Sequence, residues 1–225
     1  MGRLQSLFPP HQLDAIIGSL LGDGRLECRS AGVRHPITAR FRVHHGEKQK
    51  EYVFWKYEML KNFVSQKPQE IIWDNPKRNL HEVSWYFHTR SSVELGIIYK
   101  YFYRNGGKML PQNIDQFINP RSLAIWFMDD GSNNGNNFTI STHSFSLEEH
   151  ERIIRFFKNK FGIAGTIVKD RIRFKIAFGA GEYQKFARII QPYVIPSMNY
   201  KIIDPRNDFS DIISERVRKY ECIIS

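Results

Sequence analysis

Asp23 and Asp130 each end an apolar, helix-like run and are each followed by glycine, in Ile16-Ile17-Gly18-Ser19-Leu20-Leu21-Gly22-Asp23-Gly24 and Leu123-Ala124-Ile125-Trp126-Phe127-Met128-Asp129-Asp130-Gly131. The last turn of a helix exposes unpaired carbonyls and carries partial negative charge, so an anion there is locally unfavourable. A local rule broken twice in one chain marks a candidate functional site, built from two similar halves. One chemistry open to such carboxylates is a calcium loop. Asp130, Ser132, Asn134 and Gly135 fit positions one, three, five and six of that loop, but its twelfth position falls on Ser141, where a bidentate glutamate is required, and the reading fails.

The elements that must position these residues repeat. Pro9-Pro10 stop any earlier helix, and the first motif helix is expected over about His11 to Asp23, with Gly24 in the left-handed conformation that ends it. A short strand near Arg25 to Arg29 follows, then a strand over Thr38 to His44 with Ala39, Phe41 and Val43 on one face and Thr38, Arg40, Arg42 and His44 on the other. An amphipathic helix over Glu47 to Phe63, a strand over His81 to Thr89 and a helix over Ser92 to Arg104 complete the half. Asn113 to Asn119 reads as a connector. Asn119-Pro120 offers an N-cap and first-turn proline for the second motif helix, which ends at Gly131. The second half reads as a strand over Phe138 to His143, a helix over Ser146 to Phe161 opened by the capping box Ser146-Leu147-Glu148-Glu149, and a strand over Gly165 to Lys169. A strand over Arg171 to Ile176, with three cations opposite three apolar residues, and a helix over Glu182 to Gln191 close it.

With 33 Lys plus Arg against 23 Asp plus Glu, a formal charge of +10 and 14% aromatic residues, the chain suits a nucleic-acid partner. Lys and Arg are common on any solvated sheet face. Two corresponding strands with the same cationic face in so basic a chain favour a sheet that faces nucleic acid, and such a surface can enter a major groove. No apolar run reaches the roughly 18 residues that span a bilayer, and no signal-peptide core follows a charged start, so a non-membrane, intracellular protein, cytoplasmic or organellar, is expected. Cys28 and Cys222 lie far apart without metal-ligand spacing, which points to neither a disulfide framework nor a structural zinc.

The two motifs, their separation and the repeated layout, from about Gln12 to Lys201, resemble the LAGLIDADG homing endonucleases of the single-chain, two-motif type. Motif two, Ser122 to Gly131, carries most of the resemblance; motif one matches the name-giving pattern at Gly18, Asp23 and Gly24. The resemblance implies an α+β fold of two pseudo-symmetric αββαββα halves, with saddle-shaped antiparallel sheets and the motif helices packed between them. It divides the chain into a first half over 1–113, a linker over 114–119, a second half over 120–201 and an extension over 202–225, where Ser210 to Tyr220 reads as a helix. Gly18 and Gly22, four apart, lie on one helix face and allow close approach of the partner helix; the second motif has Ile125 and Asp129 there, so asymmetric packing is expected.

By the same resemblance Asp23 and Asp130 are catalytic, and the metal residues are Asp23, Asp130, Gly22 and Asp129; because Asp129 stands where the first motif has glycine, it is expected to be a neighbour more than a ligand. Lys108 in Lys108-Met109-Leu110-Pro111 and Lys201 in Pro196-Ser197-Met198-Asn199-Tyr200-Lys201 are the lysines that reach the site, each serving one strand. Carboxylates suit Mg²⁺, for which Mn²⁺ can substitute, better than zinc. The partner implied is double-stranded DNA, faced by Arg40, Arg42, His44, Tyr86, His88, Ser141, His143, Arg171, Arg173 and Lys175, and bound by a monomer at a pseudo-palindromic target. The expected reaction is a double-strand break with short 3′ overhangs by an intron-encoded enzyme. The alternatives are a maturase acting on intron RNA and a non-cleaving DNA-binding regulator; an intein is disfavoured because no splicing block surrounds the motifs.

Overall fold

The computed structural model describes residues 6–28, 37–75, 80–135 and 137–202; the helix expected over Ser210 to Tyr220 lies outside them. In chain order the first half comprises α1 (Pro10–Leu21), β1 (Arg25–Glu27), β2 (Arg40–Gly46), α2 (Lys50–Leu60), β3 (Gln69–Asn75), β4 (Leu80–His88) and α3 (Val93–Phe102). A small hairpin, β5 (Tyr103–Arg104) with β6 (Gly107–Lys108), and a short helix α4 (Ile114–Phe117) lead to the second half. That half comprises α5 (Pro120–Asp130), β7 (Gly131–Asn133), β8 (Asn137–Ile140), α6 (Leu147–Phe161), β9 (Thr166–Asp170), β10 (Arg173–Gly179) and α7 (Ala180–Ile190).

The two sheets have the same topology, β1-β2-β4-β3 and β7-β8-β10-β9, and every strand pair is antiparallel. The αββαββα order expected from sequence is therefore present twice. In each sheet one face is apolar and covered by helices. Phe41, Val43 and Phe87 are buried in the first half, and the same core runs on through Phe138, Ile176 and Phe178 in the second. The second-half core is an aromatic cluster in which Phe138 stacks on Phe178 and Phe186 with ring centroids 4.5 and 4.3 Å apart. Stacked pairs of this kind contribute about 0.5–1.5 kcal/mol each beyond the burial of their area.

The helix starts follow local chemistry. Asn119 caps α5 through the backbone N–H groups of Arg121 and Ser122, and Ser122 Oγ returns the contact to Asn119 N–H at 2.8 Å. The capping box of Ser146 and Glu149 opens α6, and left-handed Gly162 ends it.

Several expectations need correction. Gly24 is not left-handed; it is required because a Cβ would lie 2.7 Å from Ser19 Cβ and 3.0 Å from the Phe41 ring. Besides the β5–β6 hairpin, two strands of the main sheets differ from the sequence expectation. Edge strand β3 carries acidic residues and exposed Ile72 and Trp73, and β7 is three residues with no apolar side chain, so neither alternates cleanly. Arg171 and Ile172 form the two-residue turn between β9 and β10, with Arg171 at φ 57°, so β10 starts at Arg173 and Arg171 lies at the hairpin tip rather than on a strand face. Strand β8 ends at Ile140, which leaves Ser141 and His143 beyond it. Helix α3 ends at Phe102, because the left-handed pair Asn105-Gly106 turns the chain into the β5–β6 hairpin. The connector expected over Asn113 to Asn119 contains α4 and buries Ile114 and Ile118 in the common core.

Candidate functional site

Helices α1 and α5 run parallel. Asp14 of α1 accepts a 2.6 Å hydrogen bond from Asn119 Nδ2 at the start of α5, Gly18 faces Ser122 and Ile125, and Gly22 faces Asp129, so the contacts advance together along both helices. A Cβ on Gly18 would come within 2.4 Å of the Ser122 carbonyl oxygen, and one on Gly22 within 2.5 Å of Asp129 Cβ. The glycines of one motif thus receive Ile125 and Asp129 of the other. The asymmetry expected from the two sequences is the means by which the helices fit.

Because the helices are parallel, their C-terminal ends emerge side by side with Asp23 and Asp130. Burial, and then the carboxylates of Asp23 and Asp129, push Asp130 up to about 8. Asp23, whose side chain is 50% exposed, is raised by burial and then by Asp129. Each motif helix ends against a lysine of its own half. Lys108 Nζ donates to the carbonyls of Gly22 at 2.8 Å and Gly24 at 3.0 Å, and Lys201 Nζ donates to the Asp129 carbonyl at 2.8 Å. A cation at a helix C-terminus offsets the dipole that made the aspartates locally unfavourable. Burial lowers both lysines, opposed by the surrounding carboxylates. The β5–β6 hairpin places Lys108 opposite Tyr103, whose hydroxyl accepts the Leu26 N–H; the turn at Pro196–Lys201 places Lys201.

The Asp129 carboxylate is already engaged. Its Oδ1 lies 2.6 Å from Lys56 Nζ, and its Oδ2 accepts the backbone N–H of Asp23 at 3.3 Å. Both side chains are shut off from solvent. The His45 ring fills the gap, with Nε2 3.3 Å from Lys56 Nζ and Nδ1 3.7 Å from Asp23 Oδ2. Burial first and then Lys56 lower His45 to about 3. The neutral ring that accepts from Lys56 carries its proton on Nδ1, on the Asp23 side. Tyr52 Oη donates to the Ile125 carbonyl at 3.1 Å, and its ring lies under Lys56 Nζ, 4.2 Å from the centroid. Lys56, His45 and Tyr52 were missed from sequence. The available signal was Lys56 on the stripe of Tyr52, Val53 and Leu60, the buried face of α2; a lysine there implies a buried anion as partner.

Arg40, Arg42, His44, Tyr86 and His88 come together on the open face of the first sheet. Arg42 pairs with His88 and His44 with Tyr86 across β2 and β4, while Phe41, Val43 and Phe87 point to the core. In the second half Lys175 and His143 both reach Asp170, at 3.3 and 3.1 Å, and Arg173 Nη1 reaches the His143 carbonyl at 3.4 Å. Ser141 stays near the motif end, its N–H donating to the Asp130 carbonyl at 3.0 Å. Arg171, at the tip, stands apart from that group.

The donors at the paired helix ends are oxygen, from Asp23 and Asp130 and from the nearby carbonyls of Gly22 and Asp129. After burial, the carboxylates of Asp23 and Asp129 raise the proton affinity of Asp130, and Asp129 raises that of Asp23; a divalent cation relieves that repulsion. Among the described residues no three His, Cys, Asp or Glu side chains converge as a complete cage. Water and phosphate oxygens would fill the remaining positions, as hard cations such as Mg²⁺ accept.

A family model described as the LAGLIDADG DNA endonuclease family matches residues 13–186. DNA endonuclease I-ChuI of Chlamydomonas applanata is 32% identical over 210 residues, covering 86% of this chain and 94% of that protein. Cytochrome b mRNA maturase bI2 of Debaryomyces hansenii is 30% identical over 198 residues, covering 84% and 72%. The structure of homing endonuclease I-WcaI bound to its DNA recognition sequence shares the fold, with a TM-score of 0.79 at 22% identity over 90% of this chain and 91% of that one.

Proposed function

Since the chain belongs to the LAGLIDADG DNA endonuclease family, we propose that it is a site-specific endonuclease that cuts both strands of duplex DNA at a long, pseudo-palindromic target and leaves short 3′ overhangs. The observation that carries this reading is the emergence of Asp23 and Asp130 side by side from parallel helices, each helix end held by a lysine.

Asp23 and Asp130 would hold divalent cations, with Mg²⁺ the physiological choice and Mn²⁺ a substitute. Bound there, the metal supplies an activated water, charge stabilisation of the phosphoryl oxygens and support for the departing sugar oxygen. The protein's own residues set the geometry. Lys108 and Lys201 carry positive charge to the scissile phosphates and hold ordered water, one lysine for each strand. Asp129 and Lys56 form a neutral pair that fixes the spacing of the helix ends without adding net charge.

The open sheet faces would lie in the major groove on either side. Arg40, Arg42, His44, Tyr86 and His88 read one half-site, and Arg173, Lys175, His143, Ser141 and Arg171 contact the other. Base contacts supply the sequence preference, and contacts to phosphates add affinity that falls steeply with salt. The halves present different side chains, so one chain suffices and the target is asymmetric in detail.

The test is incubation with a high-complexity DNA library in Mg²⁺, capture and sequencing of new ends, and parallel reactions with Asp130→Asn and with chelator. Recurrent ends with a fixed short 3′ overhang, absent from both controls, support the reading. Binding without metal-dependent ends overturns it and favours RNA maturation, the activity named for the Debaryomyces relative, or DNA-binding regulation.

A further inference from the structure

Glu27 occupies an unusual place for an acid. It lies on β1 directly opposite Arg40 of β2, with Arg25 opposite Arg42, and Leu26 and Phe41 between them point into the core. All four charged side chains therefore share the open face of the first sheet. The Glu27 carboxylate gives one oxygen to each of two arginines. Arg25 contacts Oε1 through Nε at 2.9 Å and Nη2 at 2.7 Å, and Arg40 contacts Oε2 through Nε at 2.8 Å and Nη2 at 2.7 Å. Arg42 Nη1 stands 3.5 Å from Oε1.

A guanidinium has five N–H groups. Binding one carboxylate oxygen through Nε and Nη2 uses one edge and leaves the Nη1–Nη2 end unspent, which is the fork that pairs with O6 and N7 of guanine. Free arginine side chains would sample many rotamers, and ordering them on binding carries an entropic cost. Burial tends to raise Glu27, but hydrogen bonds from Arg40 and Arg25 hold it below the usual glutamate range, so the carboxylate stays charged. The corresponding positions of the second half are uncharged: Ser132 of β7 faces Thr139 of β8, and Asn134 Nδ2 donates to Asn137 Oδ1 at 3.2 Å.

We propose that Glu27 is a positioning residue for sequence specificity, holding Arg25 and Arg40 with their forks outward so that the inner part of the first half-site is read as guanine. This rests on the DNA-binding reading above. A carboxylate on a phosphate-facing surface weakens binding to DNA of any sequence, so Glu27 exchanges general affinity for a fixed pattern of donors.

The experiment is selection of bound duplexes from a randomised library by the full chain, with the base preference measured at every position for the native protein, Arg25→Lys, Arg40→Lys and Glu27→Gln. The lysine variants keep the charge and lose the fork, and each is expected to lower guanine preference by about tenfold at one position of the first half-site. Glu27→Gln is expected to lower it at those same positions, to leave the second half-site unchanged, and to bind random duplex at least as tightly as the native protein. An unchanged profile in Glu27→Gln overturns the proposal. So does a uniform change at all positions, or a change centred on a cytosine that Glu27 itself contacts. If Glu27→Gln unfolds, the Arg40→Lys profile decides: loss of preference at a base other than guanine sinks the idea. Absence of sequence preference in the native protein would instead overturn the functional reading on which it rests.

Discussion

Lys56 Nζ lies 2.6 Å from Asp129 Oδ1 with both side chains excluded from solvent, so a cation of the first half neutralises an anion on the motif helix of the second. Removing one partner strands a buried charge. Lys56→Met is expected to lower unfolding free energy by about 3–5 kcal/mol, whereas replacing both residues with apolar ones of similar size costs much less than the sum of the single changes. Denaturant titrations of the two single variants and the double variant measure this coupling; additive losses would show that the pair is not coupled.

The glycine contacts between α1 and α5 set a limit on side-chain size. Gly18→Ala drives a methyl toward the Ser122 carbonyl, which is backbone and cannot rotate away. The expected loss is about 1–3 kcal/mol from overpacking. Thermal unfolding that matches the native protein would refute the close approach.

Proton binding at Asp130 ties stability to pH. Its value in the folded protein, about 8, is above the ordinary 3.8, because burial and the neighbouring carboxylates disfavour its charge. The folded state therefore binds more protons than the unfolded one between those values. The resulting stabilisation is present below about pH 4 and is lost as pH rises through about 8, at up to about 1.4 kcal/mol per unit. Denaturation of metal-free protein across that range, compared with Asp130→Asn, should show a shallower slope in the variant. Added Mg²⁺ should displace the proton, and proton release on metal addition at pH 7 is measurable in buffers of different ionisation enthalpy.

The two lysines differ in what they hold, Lys108 two carbonyls at the end of α1 and Lys201 one at the end of α5. If each serves one strand, Lys108→Met and Lys201→Met should each slow cutting of a single strand by about 10²-fold, the magnitude typical of losing one preorganised charge donor. On supercoiled plasmid carrying the selected target, nicked circles would accumulate, with the nick on opposite strands in the two variants. Equal slowing of both strands by either change would rule out that division.

The repeat, the motif helices, the capped starts of α5 and α6, and the basic faces of β2 and β10 are legible in the sequence, because each is written in residues within a few positions of one another. The sequence also pointed to Asp23 and Asp130, since a carboxylate and glycine after an apolar helical run can be read without knowing what lies opposite. Strands β3 and β7 were invisible because they are held by pairing with neighbouring strands rather than by their own alternation. The Asn105-Gly106 turn was present in the letters but lost at the end of a helical pattern. Folding in three dimensions is what gives Asp129 to Lys56, sets neutral His45 between Asp23 and that pair, and gathers three arginines around Glu27. Those relationships join Asp129 to Lys56, 73 residues away, and β1 to β2. The reason is physical: the energy of a charge depends on what surrounds it in space, and local sequence does not record which distant group will be brought beside it when the apolar faces close.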